Sequence, residues 1–281
     1  MKNTSPTEVR QPSLLNMTQP PDAAGSATHW TGRGQNFATS WYRAGPAGFR
    51  TQVESVDEVM VIVLDGSVGI SSAGTRAEAP SRSICILPPK AWQLDLMPGV
   101  TCVVLCSLRD DAKANAVNES AYAEADPRIA PVGEAWRTLR AGTDMRIFSI
   151  DSVSASKDKP RLKMLQTSTM SINWVEYEGP RDRHALSPHS HTAFEQGSLA
   201  LAGDFVHHLR VEWGEDADAW REDQHAQLGS PSLMVVPVGM IHTSEGVGQG
   251  HHLLIDVFSP PRADFIAKGW VANSSDYAAP V

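Results

Sequence analysis

Short apolar runs separated by turn residues dominate the hydrophobic pattern of this chain. Residues 58–70 (EVMVIVLDGSVGI), 83–89 (SICILPP) and 100–108 (VTCVVLCSL) are rich in valine and isoleucine and are bounded by glycine, proline or charged residues. Runs of this length and composition are typical of β-strands. A second series begins at residues 145–151 (MRIFSID) and continues to residues 252–259 (HLLIDVFS). The pattern therefore predicts an all-β protein built in two halves.

The segments between these runs set the expected domain boundaries. Residues 1–28 are rich in proline, serine and threonine without an apolar period, which predicts a flexible N-terminal arm. Residues 111–144 are alanine-rich and polar, and predict a linker between a first β-domain at 29–110 and a second at 145–260. Apolar residues near helical spacing in residues 261–281 predict a short C-terminal helix followed by a tail.

The two halves share an internal repeat. Glu58 lies eight residues before Gly66, and Glu195 lies eight residues before Gly203. The sequence ICILPPKAWQ in the first half is matched by LMVVPVGMIH, 149 residues later, and CVVLCSL is matched by LLIDVFS, 151 residues later. The separation increases only at loops, as expected for a tandem duplication with insertions.

The strongest chemical signal is the sequence PHSHTAFEQ at residues 188–196. His189 and His191 are two residues apart, so on a strand both imidazoles project from the same side. Glu195 follows four residues later, and His242 lies on a later predicted strand. Three imidazoles and one carboxylate suit a divalent transition metal, with Fe, Mn, Ni, Co, Cu and Zn all compatible. We therefore predict a mononuclear three-His/one-Glu metal site.

These residues resemble the two motifs of the cupin superfamily. Residues 189–203 match the histidines, glutamate and closing glycine of G-x5-H-x-H-x3,4-E-x6-G, with one extra residue before that glycine. Residues 230–242 match the proline, glycine and histidine of G-x5-P-x-G-x2-H-x3-N. Arg183 stands near the expected leading glycine and Gly246 replaces the final asparagine, so the departures affect turns. The resemblance implies two tandem double-stranded β-helix (jelly-roll) barrels, that is, a bicupin, with a metal inside the second barrel.

The first half matches the same motifs without histidines. The repeat aligns Gln52, Glu54, Glu58 and Gln93 with the four predicted ligands. The resemblance therefore implies a degenerate N-terminal barrel beside a metal-binding C-terminal barrel, and leaves open whether these four residues bind anything.

Five further residues are candidates for contacts around the metal or for the pocket wall. Asp256 lies in an apolar strand, where a carboxylate needs a partner and could orient an imidazole. His252 is close to it in sequence, while Trp174, Glu176 and Phe194 are close to the ligand strands.

Composition restricts the partners. The chain carries 24 Lys and Arg against 32 Asp and Glu, a net charge of −8, without a basic block. Nucleic acids and anionic membranes attract cationic surfaces, so neither is an expected partner. The N-terminus has no apolar stretch typical of a secretory signal, which predicts a cytoplasmic protein. The expected partner is a small-molecule ligand or substrate, and the chain could form a homodimer.

Two classes of function are compatible with this site. The first is a metal-dependent enzyme acting on a small organic substrate, which the cupin resemblance favours as a dioxygenase-type oxidoreductase. A Lewis-acid isomerase, hydrolase or decarboxylase remains an alternative. The second is a non-catalytic binding or sensor protein for a sugar-like small molecule, stabilised by its metal. A pocket open to solvent beside the metal would favour the enzyme, and a closed site packed with aromatic rings would favour the second class.

Overall fold

The computed structural model describes four stretches of the chain: residues 9–18, 27–109, 114–132 and 144–278. Parts of the predicted arm, linker and C-terminal tail lie outside these described residues. The strands up to the linker are β1 (Ser13–Asn16), β2 (Ala27–Arg33), β3 (Phe37–Ala44), β4 (Phe49–Glu54), β5 (Val59–Val63), β6 (Ser67–Ser72), β7 (Thr75–Pro80), β8 (Ser83–Leu87), β9 (Ala91–Leu96) and β10 (Thr101–Ser107).

The strands after the linker are β11 (Arg146–Ser149), β12 (Leu162–Gln166), β13 (Ser171–Glu178), β14 (Gln196–Ala202), β15 (Asp204–Arg210), β16 (Gln224–Leu228), β17 (Ser232–Val236), β18 (Ile241–Val247) and β19 (His251–Phe258). One α-helix, α1 (Ala263–Ala267), follows β19. Single 3-10 turns cover Glu119–Tyr122, Ile150–Ser152, Arg183–Ala185, Ala217–Ala219 and Ser274–Asp276. No helix in the described ranges is long and apolar enough to cross a membrane.

The strands form two barrels, each built from a larger and a smaller antiparallel sheet. In the first barrel the larger sheet has the strand order β11-β8-β5-β10-β3-β2, and the smaller has the order β4-β9-β6-β7. In the second barrel the corresponding orders are β1-β17-β14-β19-β13-β12 and β16-β15-β18. The predicted all-β class, with two tandem barrels and a short C-terminal helix, is confirmed.

Each barrel includes one strand from the other half of the chain. β1 pairs with β17 of the second barrel, and β11 pairs with β8 of the first. The predicted arm at 1–28 therefore contains a strand of the second barrel, and the domain predicted to begin at 145 starts with a strand of the first. The sequence boundaries missed this exchange because a four-residue strand carries little periodicity, and its partner is chosen by tertiary packing.

The two larger sheets pack against each other and bury a shared core. Met60 and Ile62 of β5 face this core, whereas Val59, Val61 and Val63 face the interior of the first barrel. The other half supplies residues of β13, β14, β17 and β19 to the same core. This two-sided burial explains why the strand runs are continuously apolar rather than alternating.

Glu58 lies at the junction between the barrels. It is only 4% exposed, and its carboxylate accepts hydrogen bonds from the backbone N–H of Ser168 at 2.8 Å and from the Tyr277 hydroxyl at 3.1 Å. The Arg146 guanidinium completes an ion pair with it. A carboxylate of the first barrel is thus held by residues that follow it in the chain by 88 residues or more.

Glu195 makes the reciprocal contact from the second barrel. Its carboxylate accepts from the backbone N–H of Gln35 at 2.6 Å and from the Tyr122 hydroxyl at 3.3 Å. Ser13 on β1 is at the position equivalent to that of Arg146 on β11. The second barrel therefore has a serine where the first barrel has the arginine that pairs with Glu58. The two glutamates that the repeat aligned therefore both fasten one barrel to the other.

The repeat also extends into the predicted linker. The amide of Asn118 pairs with the backbone N–H and C=O of Arg33, at 2.9 and 2.8 Å, and the amide of Asn273 pairs in the same way with Gln166, at 2.9 Å for both contacts. Each asparagine precedes a 3-10 turn that ends at or next to a tyrosine. The matching sequences are NESAY and NSSDY, 155 residues apart.

Replacing Arg146 by leucine should destabilise the protein strongly. The substitution leaves the Glu58 carboxylate buried without its cation, which typically costs about 3–5 kcal/mol. The matched control is Arg50→Leu, because Arg50 pairs with Asp95 at the surface and such pairs contribute about 0–1 kcal/mol. Urea denaturation of both variants measures the difference. Equal stabilities for the two variants would show that the junction does not depend on this ion pair.

Candidate metal site

Backbone pairing brings the three candidate histidines together. The segment around His189 forms an isolated bridge with His242, with N–H···O distances of 3.1 and 2.8 Å in the two directions. The backbone N–H of Gly239 donates to the His191 carbonyl at 2.7 Å, and Gly239 itself has a φ of +84°. That left-handed turn favours glycine and returns the chain into β18. One ligand atom from each imidazole lies within 4.8 Å of the others.

The hydrogen bonds of two imidazoles define which nitrogen faces the cluster. Nδ1 of His189 lies 2.8 Å from the Ser187 carbonyl, and Nδ1 of His242 lies 3.0 Å from the Met240 carbonyl. A carbonyl oxygen only accepts, so each Nδ1 carries the proton. The Nε2 lone pair of each ring is then available to a cation, an arrangement that also fixes ring orientation in metal sites.

Gln196 supplies the oxygen atom at the centre of the cluster. Its Oε1 lies 3.0 Å from Nε2 of His191 and 3.2 Å from Nε2 of His242. Its amide Nε2 donates to Asp256 and to Ser198, each at 3.0 Å, and this fixes the oxygen toward the imidazoles. A neutral His242 protonated on Nδ1 has no proton to offer this oxygen. A cation among the lone pairs would satisfy all of these groups, so the residues present fit a divalent metal.

The structure does not bring Glu195 to this cluster. Its carboxylate points to Gln35 and Tyr122 at the junction between the barrels, as described above. Adjacent residues of an extended segment project to opposite sides, so Gln196 faces inward where Glu195 faces outward. Spacing alone selected the glutamate because the motif allows either three or four residues after His191, and a carboxylate is the commoner ligand. The amide oxygen of Gln196, at the next position, is a candidate ligand that the sequence reasoning did not consider.

The other predicted neighbours divide into two groups. Asp256 lines the cavity beside Gln196, and the Phe194 ring lies 4.7 Å from the His191 ring, so both are next to the cluster. Trp174 and Glu176 lie on the opposite face of β13, where Trp174 packs in the shared core and Glu176 pairs with Arg82.

His252 also lies away from the three imidazoles. Its two ring nitrogens contact the carbonyls of Gly250 and Val247, at 3.1 and 2.9 Å, and its ring stacks on Tyr177. His252 is thus a hydrogen-bonded residue of the scaffold near the start of β19, and it does not line the cavity.

Burial favours the neutral form of the two buried imidazoles, His191 and His242. It lowers the pKa of His191 to about 4 and that of His242 to about 3. Protons therefore compete weakly with a metal ion for these nitrogens. Burial also raises the pKa of Asp256 to about 6, although a hydrogen bond from Ser198 favours its charged form.

A cavity of about 570 Å³ opens beside the cluster. His189, Gln196 and His242 form part of its wall, and β13 and β19 contribute Asn173, Val175, Leu254, Asp256 and Phe258. The remaining wall comes from segments 158–162, 181, 187–188, 243–244 and 262–270. A ligand in this space would therefore contact the imidazoles directly.

The first barrel fills the equivalent space with apolar side chains. Gln52 and Gln93 are cross-strand partners, but the buried pair on these strands is Val53 opposite Trp92. Glu54 is exposed. The repeat alignment was therefore displaced by one residue on these strands, and a displacement of one residue exchanges the two faces of a strand.

Comparison with known proteins identifies the fold. No protein-family model and no curated protein matches the sequence. Among solved structures, AerE from Microcystis aeruginosa is similar with a TM-score of 0.57 and 10% identity, covering 88% of this chain and 98% of that one. A deletion mutant of the Bacillus subtilis oxalate decarboxylase OxdC has a TM-score of 0.60 and 11% identity, covering 91% and 79%.

A third similar structure is procruciferin, an 11S globulin from Brassica napus, with a TM-score of 0.59 and 10% identity, covering 92% of this chain and 87% of that one. At such low identities these likenesses show the fold alone. They confirm the fold of two tandem β-barrels that the motif resemblance implied. Because the neighbours include a decarboxylase and a globulin, the fold does not choose between an enzyme and a non-catalytic protein.

Substitutions at the adjacent positions 195 and 196 should distinguish the proposed metal ligand, Gln196, from Glu195, which joins the two barrels. We expect Gln196→Leu to weaken metal binding by more than about 100-fold, because it removes a donor atom rather than a neighbour of one. Glu195→Gln should retain the metal, since an amide oxygen can still accept from Gln35. Metal titration with circular dichroism as a fold control measures both. Loss of metal from Glu195→Gln but not from Gln196→Leu would contradict this assignment.

Glu195 should also make stability depend on pH. Burial raises its pKa from 4.5 to about 7, so the folded protein keeps a proton that the unfolded chain releases. Relative to Glu195→Gln, the wild type should lose stability as pH rises from about 4.5 to 7, by at most about 3 kcal/mol. Denaturation of both proteins with chelator present, at pH 4.5 and pH 8, measures this. A difference that does not change with pH would contradict the prediction.

Proposed function

We propose that this protein is a metal-dependent enzyme that binds a small organic substrate in the second barrel. The proposed ligands are His189, His191, His242 and Gln196. The observation that carries the proposal is the set of inward-facing acceptor atoms around Gln196 Oε1, 3.0 and 3.2 Å from two imidazole nitrogens. Three nitrogen donors and one oxygen donor suit Fe, Mn, Ni, Co, Cu or Zn.

The cavity favours an enzyme over a non-catalytic metal site. A purely structural site is closed by its protein ligands, whereas a catalytic site keeps an open position. Here about 570 Å³ of space adjoins His189, which is itself exposed. A substrate therefore has access to the centre that a structural ion would not require.

Within this proposal, side chains of the protein bind and orient the substrate and transfer a proton to or from it. Asn173 and Asp256 offer polar atoms along one wall, and Phe258 and Phe265 exclude water from another. A carboxyl with a pKa of about 6 is suited to proton transfer near neutral pH, so Asp256 is the candidate acid or base. Its contact with the Gln196 amide at 3.0 Å also orients that proposed ligand.

The reaction that we favour is of the dioxygenase type. When bound, a divalent transition metal supplies a Lewis acid, and a redox-active one also supplies electrons to O2. His189, His191, His242 and Gln196 would hold the ion, and the adjoining cavity would admit a substrate and O2. Lewis-acid isomerisation, hydrolysis or decarboxylation is the alternative. O2 uptake in step with substrate consumption, screened with small diketones, phenols and keto acids, distinguishes the two.

Metal content should depend on the second barrel alone. Protein purified without chelator is expected to contain one equivalent of a divalent transition metal per chain. His191→Ala should lose it while keeping its β-sheet circular dichroism, because the barrels are held by their apolar cores. Gln93→Ala is the matched control in the first barrel and should keep the metal. Two equivalents in the wild type, or equal losses in both variants, would contradict the proposal.

A further inference from the structure

The cavity beside the proposed metal site carries more positive than negative charge. Five basic side chains line it, and they are Lys159, Arg161, Arg181, Arg262 and Lys268. Three acids line it, and they are Asp158, Asp256 and Asp264. One pair cancels, since Arg262 and Asp264 form an ion pair at 2.8 Å. The remaining excess is notable in a chain whose net charge is −8.

Arg181 is a partly buried guanidinium that has no ion-pair partner in the part of the chain that the structure describes. Its backbone N–H donates to Gly246 at 2.9 Å, and its side chain donates to the Ala185 carbonyl at 3.1 Å. Within the described ranges no carboxylate lies at ion-pair distance from it. The nearby Glu245 is already paired with Arg183 at 3.1 Å, and Asp182 caps the turn that follows it.

Arg161 places a second cation beside the first. Its guanidinium lies 5.9 Å from the centre of the Tyr177 ring, and it too lacks an ion-pair partner among the described residues. Burial and the charge of Arg161 both lower the pKa of Arg181. Arg181 is partly buried and Arg161 is exposed beside it. A guanidinium that is partly removed from water next to a second cation is unfavourable unless an anion joins the two. Most other arginines here do have such a partner, for example Arg210 with Asp223.

The proposed ligands also carry no negative charge that would balance a divalent ion. Three neutral imidazoles and an amide, with Gln196 where a carboxylate is common, leave the charge of a divalent ion undiminished. We infer that the substrate is a small organic dianion, with one anionic group at the metal centre and the other between Arg161 and Arg181. This inference rests on the proposed function for the first group and on the arginine pair for the second.

Titration with acids of graded length tests the inference. The probes are propionate, with one carboxylate, and malonate, succinate and glutarate, with two. On protein purified without chelator, at least one dicarboxylate should bind about 10- to 100-fold more tightly than propionate, as expected for one added charge-assisted contact. Isothermal titration calorimetry at low ionic strength measures the four constants.

Variants assign this preference to the arginine pair. Arg181→Gln and Arg161→Gln should each reduce the dicarboxylate preference to about threefold or less while the metal content stays unchanged. The matched control is Arg210→Gln, whose side chain is already paired with Asp223 outside this cavity. A wild type that binds propionate as tightly as every dicarboxylate would overturn the inference, as would a preference that survives both variants.

Measuring the metal content distinguishes a failure of the proposed function from a failure of the inference about the arginine pair. If the protein holds no metal, the proposed function fails, and the titration then tests the arginine pair alone. In that case carboxylate binding that weakens in Arg181→Gln supports the arginine half of the inference. Carboxylate binding equal in wild type and variant overturns it.

Discussion

The apolar core shared by the two larger sheets is the constraint on which the rest of this structure depends. Neither larger sheet could remain exposed, because strands such as β5 present apolar side chains on both faces. Burying one isoleucine fully contributes about 1.5–3 kcal/mol, and this core takes its residues from both halves of the chain. The two barrels are therefore parts of one cooperative unit, and the exchange of β1 and β11 ties them further.

Buried polar groups at the junction link that packing to the site. Gln35 of the first barrel holds the Glu195 carboxylate, and the next residue, Gln196, carries the proposed ligand oxygen. The first barrel thus contributes to the centre by position, although its own interior is filled by Val53 and Trp92. Because the first barrel supports the site and the second barrel contains it, the first barrel can keep its strands without a histidine at the equivalent positions.

The sequence predicted the architecture better than the details of the site. Valine- and isoleucine-rich runs identify strands, and the spacing of His189, His191 and His242 identified residues that the fold does bring together. The orientation of Glu195 could not be predicted, because a shift of one residue in an extended segment exchanges the inside and the outside. The strand exchange and the contacts of Asn118 and Asn273 join residues 60 or more positions apart, which no local pattern reveals. Arg161 was also missed, since only the folded chain places it beside Arg181 at the cavity.

The most direct test of this account is an anomalous difference map from crystals of protein purified without chelator, collected at the absorption edge of the metal found. The account predicts one peak per chain, at about 2.0–2.3 Å from Nε2 of His189, His191 and His242 and from Oε1 of Gln196. A peak bound by Glu195, a peak in the first barrel, or a map without a peak among the three imidazoles would contradict it.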